Sequence, residues 1–268
     1  MRPAKRIEGK PAIVIKNLLS SILAAFSMFS AIPVPQTEWN RQSMRYTLCA
    51  FPLVGVVIAG CSWLWVLLCR RFALPEIIRG AGLCLLPVLI TGGIHLDGYA
   101  DTWDAISSHA GIGKRQEILK DPHIGAFAAI HLCVYFTVSL EFWTALPEVK
   151  PLQLAGIYGL SRSLSGLALT TFPIRPGSGL ARSFAEMSDR KAVRVILTVL
   201  TVFFIVLLCT EEGILSGAAA GAVFVYYRRM CIRDFGGLSG DLAGWFLQTA
   251  EIWMLGMLMI SQYAGVIL

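Results

Sequence analysis

The chain has 268 residues, of which 56% are hydrophobic and 15% charged, with a formal net charge of +6 and a mean hydropathy of +0.66. A water-soluble domain carries about 25% charged residues, so an ordinary soluble enzyme is excluded. Disorder requires low hydrophobicity and a coiled coil requires a charged heptad pattern, and neither is present.

In chain order, apolar runs lie near 12–32, 48–69, 81–96, 124–146, 152–172, 193–210, 213–227 and 242–266. None alternates with period two, and all are too long for barrel strands. Helices must therefore satisfy the backbone polar groups in lipid. Pro52 and Pro87 fall inside two runs, which membrane helices tolerate. Trp63, Trp143, Tyr158, Tyr226, Tyr227 and Trp245 fall near run ends, as an interfacial belt would place them. The seven cysteines have no CxxC or paired spacing, and most lie in apolar runs. They read as small hydrophobes, not disulfides or zinc ligands. The basic N-terminus lacks a signal cleavage site, and no linker or low-complexity segment interrupts the chain. Residues 1–268 thus read as one domain, an all-α polytopic integral membrane bundle.

Orientation follows from Lys and Arg. If the first run does not cross, eighteen of these residues, from Arg2, Lys5, Arg6, Lys10 and Lys16 to Arg228, Arg229 and Arg233, lie on the cytoplasmic side. Only four, Arg70, Arg71, Arg79 and Lys150, lie opposite. If it does cross, the bias reverses. Lys16 and the serines after it also suit an interfacial or re-entrant helix. About seven transmembrane helices follow it, with the N-terminus inside, the C-terminus outside and the lipid bilayer as partner. The charge distribution points away from nucleic acid.

This topology gathers His95, Asp97, Asp101, Asp104, Asp121, His123, Asp234 and Asp241 on the cytoplasmic side, while Glu76, Glu148, Glu211 and Glu212 fall outside. The densest cluster is Gly92-Gly93-Ile94-His95-Leu96-Asp97-Gly98-Tyr99-Ala100-Asp101-Thr102-Trp103-Asp104. If it continues the third span as a helix, Asp97, Asp101 and Asp104 share one face. Their mutual repulsion calls for an offset, and Mg²⁺ suits hard oxygen ligands completed by substrate phosphates and water. Gly92, Gly93 and Gly98 would allow close backbone approach to a ligand. Asp121, in Lys120-Asp121-Pro122-His123, reads either as a helix N-cap before Pro or as a further metal or phosphate-side carboxylate. Asp241, after Gly236-Gly237-Leu238-Ser239-Gly240, reads either as a cap or as part of a phosphate-holding glycine turn. Gly93 to Asp97 and Gly237 to Asp241 repeat a spacing of four, which chance also explains. Within the spans stand His131, Glu141, Arg162 and Glu251. Arg162 reads either as the partner of Glu251 or Glu141, or as an anion contact.

The residues carry a resemblance. Gly-Gly-x-His-Leu-Asp-Gly-x-Ala-Asp-x-x-Asp, then Lys120-Asp121-x-x-Ile124-Gly125-Ala126-Phe127, then Gly236-Gly237-x-x-Gly240-Asp241 with Glu251 ten residues on, resemble the cobalamin synthase (adenosylcobinamide-GDP ribazoletransferase) family. Phe51-Pro52-Leu53-Val54-Gly55 and Ser161-Arg162 extend the likeness along almost the whole chain. Tyr99 and Ala105 depart from the family pattern without removing a polar group. The resemblance implies a multi-pass inner-membrane enzyme whose active site faces the cytoplasm. It joins adenosylcobinamide-GDP to α-ribazole or its 5′-phosphate, releases GMP and needs Mg²⁺. It also implies the site. Asp97, Asp101, Asp104, Asp121 and Asp241 are expected as metal ligands and, with His95, as catalytic groups. Gly92, Gly93, Gly98, Lys120, His123, Arg162, Gly236, Gly237, Gly240 and Glu251 are expected to bind substrate, with Lys114, Arg175 and Arg182 drawing in the nucleotide. Assembly into a homo-oligomer stays open. A CDP-alcohol phosphotransferase is a rival, but Asp101 stands where that pattern demands arginine. A transporter is another, yet the polar cluster lies at one surface. Reporter fusions after Glu148 and after Glu212 are expected to score as external; cytoplasmic signals at both overturn the topology.

Overall fold

The computed structural model describes residues 10–36 and 38–267, with side chains between 17 and 265. Arg2, Lys5 and Arg6 lie outside the described residues, as do the side chains of Lys10 and Lys16. The helices in order are α1 (Lys10–Phe29), α2 (Arg41–Met44), α3 (Thr47–Arg71), α4 (Glu76–Thr91), α5 (Ile94–Ser107) and α6 (Ile112–Ile118). They continue as α7 (Ala126–Ala145), α8 (Pro151–Thr171), α9 (Gly179–Met187), α10 (Arg190–Thr210), α11 (Ile214–Phe235) and α12 (Gly240–Ile267). Among the described residues the extended backbone pairs only at an isolated bridge between Ile174 and Leu238. All seven cysteines are free.

Among the described residues four helices are long and apolar enough to cross a bilayer: α3, α7, α10 and α12. The pair α4 and α5 qualifies only jointly, across a 97° bend. The apolar runs predict about seven crossings; the difference lies chiefly in α8 and α11. Helix α8 is 21 residues long and nearly all buried. Wrapped by protein, it carries Gln153, Ser161, Arg162, Ser163, Ser165 and Thr170 inside, which lowers its hydropathy without exposing polar groups to lipid. Helix α11 has 22 residues and ends in a charged turn. Elsewhere the outer surface is apolar, with Leu64, Leu89, Ile130, Val199, Phe203 and Val206 exposed on the long helices, as a lipid-facing belt requires. The expected aromatic belt is corrected: Trp143, Tyr158, Tyr227 and Trp245 are buried, because these rings pack between helices. Tyr227, for instance, stacks on Phe246 at 4.7 Å.

The run ending near residue 96 does not continue as one helix. Gly92 and Gly93 adopt φ of 64° and 78°, a left-handed pair that glycine adopts readily. The Gly93 N–H closes α4 on the Val88 carbonyl at 3.0 Å, and the Gly93 carbonyl opens α5 by accepting from Asp97 N–H at 2.9 Å. Helix α5 therefore turns across one end of the bundle. His95 lies near Phe51, early in α3, at 5.7 Å between rings. Nine residues on, the Asp104 carboxylate fills the space where Gly125, just before α7, would carry a Cβ.

At the centre, Arg162 is fully buried and pairs with Glu251, which is 6% exposed. Ser161 Oγ donates to the same carboxylate at 2.8 Å. Arg162 also donates to the Tyr158 carbonyl at 3.3 Å. Gly55 clears the way: a Cβ there would lie 2.8 Å from Arg162 Cδ. Of the two partners weighed from sequence, Glu251 is the one reached; Glu141 is exposed. Removing one member strands the other charge, so Arg162→Leu is expected to destabilise by about 3–5 kcal/mol, and the double change with Glu251→Leu to recover much of that loss. Thermal unfolding in detergent measures both; equal losses for single and double variants would refute the coupling.

Candidate active site

Helices α5 and α12 cross in backbone contact. A Cβ on Gly98 would lie 2.7 Å from the Asp241 carbonyl oxygen and 2.8 Å from its Cα, and one on Gly244 would lie 2.7 Å from the His95 carbonyl oxygen. Gly98 is thus required for helix packing. The crossing joins two matching helix starts. Asp97 lies in the first turn of α5 and Asp241 in the first turn of α12. Glycine pairs with positive φ precede both, at Gly92 and Gly93 and at Gly236 and Gly237. The spacing of four noted in the sequence is therefore realised as two carboxylates on two helix N-termini, where the backbone dipole favours negative charge.

The carboxylates sense one another. Asp241 is repelled by Asp97, and Asp101 by Asp97, Asp241 and Asp104. Arg175 is the cation acting on Asp241; it is 5% exposed, with Nη1 unpartnered. Ser239 Oγ donates to Asp241 at 3.2 Å and accepts from Leu242 N–H at 3.5 Å. Ser239, not Asp241, thereby caps α12.

Two cavities meet at Asp97. One, of about 340 Å³, has His95, Asp97, Lys120, Arg175, Ser178, Ser239, Gly240 and Asp241 among its lining residues. The other, a more open cleft of about 420 Å³, is lined by Gly92, Gly93, Asp97, Asp101, His123 and Ile124, among others. Asp104 stands apart at the start of α7. Asp121 does not cap that helix, whose N-cap is Gly125. It sits on the loop beside the open cleft, accepting from His123 N–H at 3.0 Å. That amide and the His123 ring, 2.8 Å away, hold its carboxyl below the usual carboxylate range.

The glycine turn before α12 is largely occupied by protein. Gly237 N–H donates to the Cys231 carbonyl and Leu238 N–H to that of Pro173, each at 2.8 Å. Gly236 ends α11 as its left-handed cap. Arg162 and Glu251 bind each other inside the bundle and line neither cavity at Asp97. His131 stacks on Trp103 at 3.9 Å. Lys114 and Arg182 pair with Glu117 and Glu186 at 3.0 and 2.7 Å, whereas Lys120 and Arg175 line the narrower cavity. The sequence reading did not place Phe29, Phe51, Phe184 or Ser178 in the site. The first three read as core residues, and no local signal separates them from ordinary packing.

Among the described residues no three of His, Cys, Asp and Glu converge closely enough to hold a metal ion by themselves. The donor set at Asp97, Asp101 and Asp241 is nonetheless hard oxygen. It suits a cation that takes one or two carboxylates and completes its shell from substrate phosphate and water.

A family model described as cobalamin-5-phosphate synthase matches residues 21–259. The adenosylcobinamide-GDP ribazoletransferase of Lachnoclostridium phytofermentans is 40% identical over 237 residues, covering 87% of this chain and 91% of its own. That of Clostridium botulinum strain Alaska E43 is 29% identical, with 89% and 96% covered. That of Geobacillus sp. strain WCH70 is 28% identical, with 90% and 95% covered. No solved structure matches.

The crossing of α5 and α12 has a direct test. Gly98→Ala is expected to cost about 1–3 kcal/mol of stability by overpacking against backbone. Gly113→Ala, on α6 with open space around it, is expected to be neutral or slightly stabilising. Thermal unfolding of both variants checks the contrast, and equal melting temperatures would argue against the contact.

Proposed function

The chain belongs to the cobalamin-5-phosphate synthase family, and from that premise we propose how its residues act as an adenosylcobinamide-GDP ribazoletransferase. The acceptor is α-ribazole or its 5′-phosphate. One of its ribose hydroxyl oxygens forms a bond to the phosphorus attached to the corrinoid side chain. The pyrophosphate P–O bond breaks, and its electron pair leaves with GMP. Such transfers depend on positioning and charge neutralisation more than on covalent help from protein.

The observation that carries this reading is the convergence of Asp97 and Asp241, from two helix N-termini, on a cavity that also holds Arg175 and Lys120. The two cations supply positive charge beside the carboxylates, on the side of Asp97 from which the acceptor's oxygen meets the phosphorus. His95, Asp97 and Asp241 line the same cavity and are the groups suited to take the attacking hydroxyl's proton. Gly92, Gly93 and His123 form the cleft on the donor side. Asp97, Asp101 and Asp241 are the proposed holders of Mg²⁺, with Asp104 and Asp121 as neighbouring carboxylates. The ion would supply charge neutralisation at the diphosphate.

The protein is a multi-pass membrane protein. We assign it to the inner membrane with its Asp97 end toward the cytoplasm, a reading supported by the excess of Lys and Arg in the segments at that end. GMP release by washed membranes from adenosylcobinamide-GDP and α-ribazole tests the whole scheme. EDTA is expected to stop it and added Mg²⁺ to restore it. Asp97→Asn and Asp241→Asn are each expected to lower turnover by at least about tenfold. Smaller losses, or turnover indifferent to EDTA, would count against the assignment.

A further inference from the structure

The narrower cavity at Asp97 is polar at one part and aromatic at another. Phe29 from α1, Phe51 from α3 and Phe184 from α9 all line it. Phe29 lies 4.1 Å from Phe51 and 5.7 Å from Phe184 between ring centroids. His95 adjoins this group, 6.3 Å from Phe29 and 5.7 Å from Phe51. The imidazole is 5% exposed and its Nε2 has no hydrogen-bond partner. Arg175, also 5% exposed, has an unpartnered Nη1. The cavity sets a flat apolar wall beside Lys120, Arg175, Ser178 and Ser239, which suits an occupant with a flat apolar body and a polar end.

We infer that this cavity is the acceptor site, with the benzimidazole base of α-ribazole among Phe29, Phe51, Phe184 and His95, and its ribose toward Asp97 and Asp241. The inference rests on the transferase reading above. Three large groups take part in that reaction, and the cavity discriminates among them. Its volume of about 340 Å³ stands near the small end of ligand sites, which suits a nucleoside better than a corrin macrocycle. Guanine needs several hydrogen-bond partners around its edge, and the three phenylalanines supply none, so the aromatic part of the cavity favours the less polar base. A dimethylbenzimidazole joined to ribose presents two methyl groups and a single free ring nitrogen, which matches one imidazole within an apolar surround. The corrinoid donor then approaches through the open cleft on the other side of Asp97, which also reaches Asp101. Asp97 stands between the two substrates.

The test separates the acceptor from the donor. In protein reconstituted into nanodiscs, Phe184→Ala is expected to raise the KM for α-ribazole by about tenfold or more, while the KM for adenosylcobinamide-GDP stays within about twofold. Phe184→Leu keeps most of the volume and guards against misfolding of the alanine variant; an intermediate acceptor KM is expected. Independently, α-ribazole binding to the wild-type protein without donor, followed by benzimidazole fluorescence, is expected to be competed by 5,6-dimethylbenzimidazole and not by GMP. Competition by GMP, or a rise in the donor KM alone, overturns the assignment and gives the cavity to guanine. Absence of GMP release from the wild-type protein would remove the transferase reading instead, and the binding titration would still decide what the cavity holds.

Discussion

Two helices touching backbone to backbone organise the chemistry of this protein. Gly98 and Gly244 leave no room for a Cβ between α5 and α12, so the two helix starts are held at one spot, each bearing an aspartate in its first turn. Like charges brought this close repel, and Asp101 adds a third carboxylate within reach. The helix N-termini offset part of that repulsion, and Arg175 acts on Asp241 from the segment that follows α8. That segment is itself fixed. The Arg175 N–H donates to the Leu238 carbonyl at 3.0 Å, and a Cβ on Gly237 would lie 2.6 Å from the Arg175 nitrogen. Cation and carboxylate are therefore positioned by one backbone junction.

The rest of the bundle keeps that junction at one end. Helix α8 runs through the middle, and its Arg162 is bound to Glu251 of α12. A buried pair of this kind contributes little net stability relative to apolar packing, but it is costly to break. It ties α12 to α8 at one level of the bundle. The opposite end holds a separate set of charges, with Lys150 near Glu148, Glu211 and Glu212 at 3.6–4.0 Å. Arg79 donates to the Leu146 carbonyl at 2.8 Å, just past the end of α7. Acidic groups at the two ends thus serve different purposes. At the far end they are matched by cations; beside the α5–α12 crossing Asp241 is acted on by both Asp97 and Arg175.

Asp97 is shared by two cavities of different character. A reaction that joins a small nucleoside to a very large donor needs this asymmetry. The small partner can be enclosed and aligned, whereas the large one can present only its reacting end. The narrower side can align the small partner, and the more open side accommodates bulk.

The helical class, the membrane location and the gathering of acidic residues at one end are legible in the sequence, because lipid admits few backbone solutions and apolar runs mark them directly. The cluster from His95 to Asp104 and the echo at Asp241 are legible too, since carboxylate spacing on a helix is local geometry. From sequence Arg162 reads as the partner of Glu251 or Glu141 or as an anion contact, and packing selects Glu251. Tertiary structure alone decided the 97° corner at Gly92 and Gly93. Glycine permits a left-handed conformation without demanding it, and the neighbours of α5 select it. Tertiary structure also decided that Trp143, Tyr158, Tyr227 and Trp245 are buried, since an aromatic residue near a helix end suits an interface and a core equally. The aromatic wall beside Asp97 is the clearest case: Phe29, Phe51 and Phe184 come from three helices far apart in sequence, and only their convergence distinguishes a binding surface from ordinary hydrophobic filling.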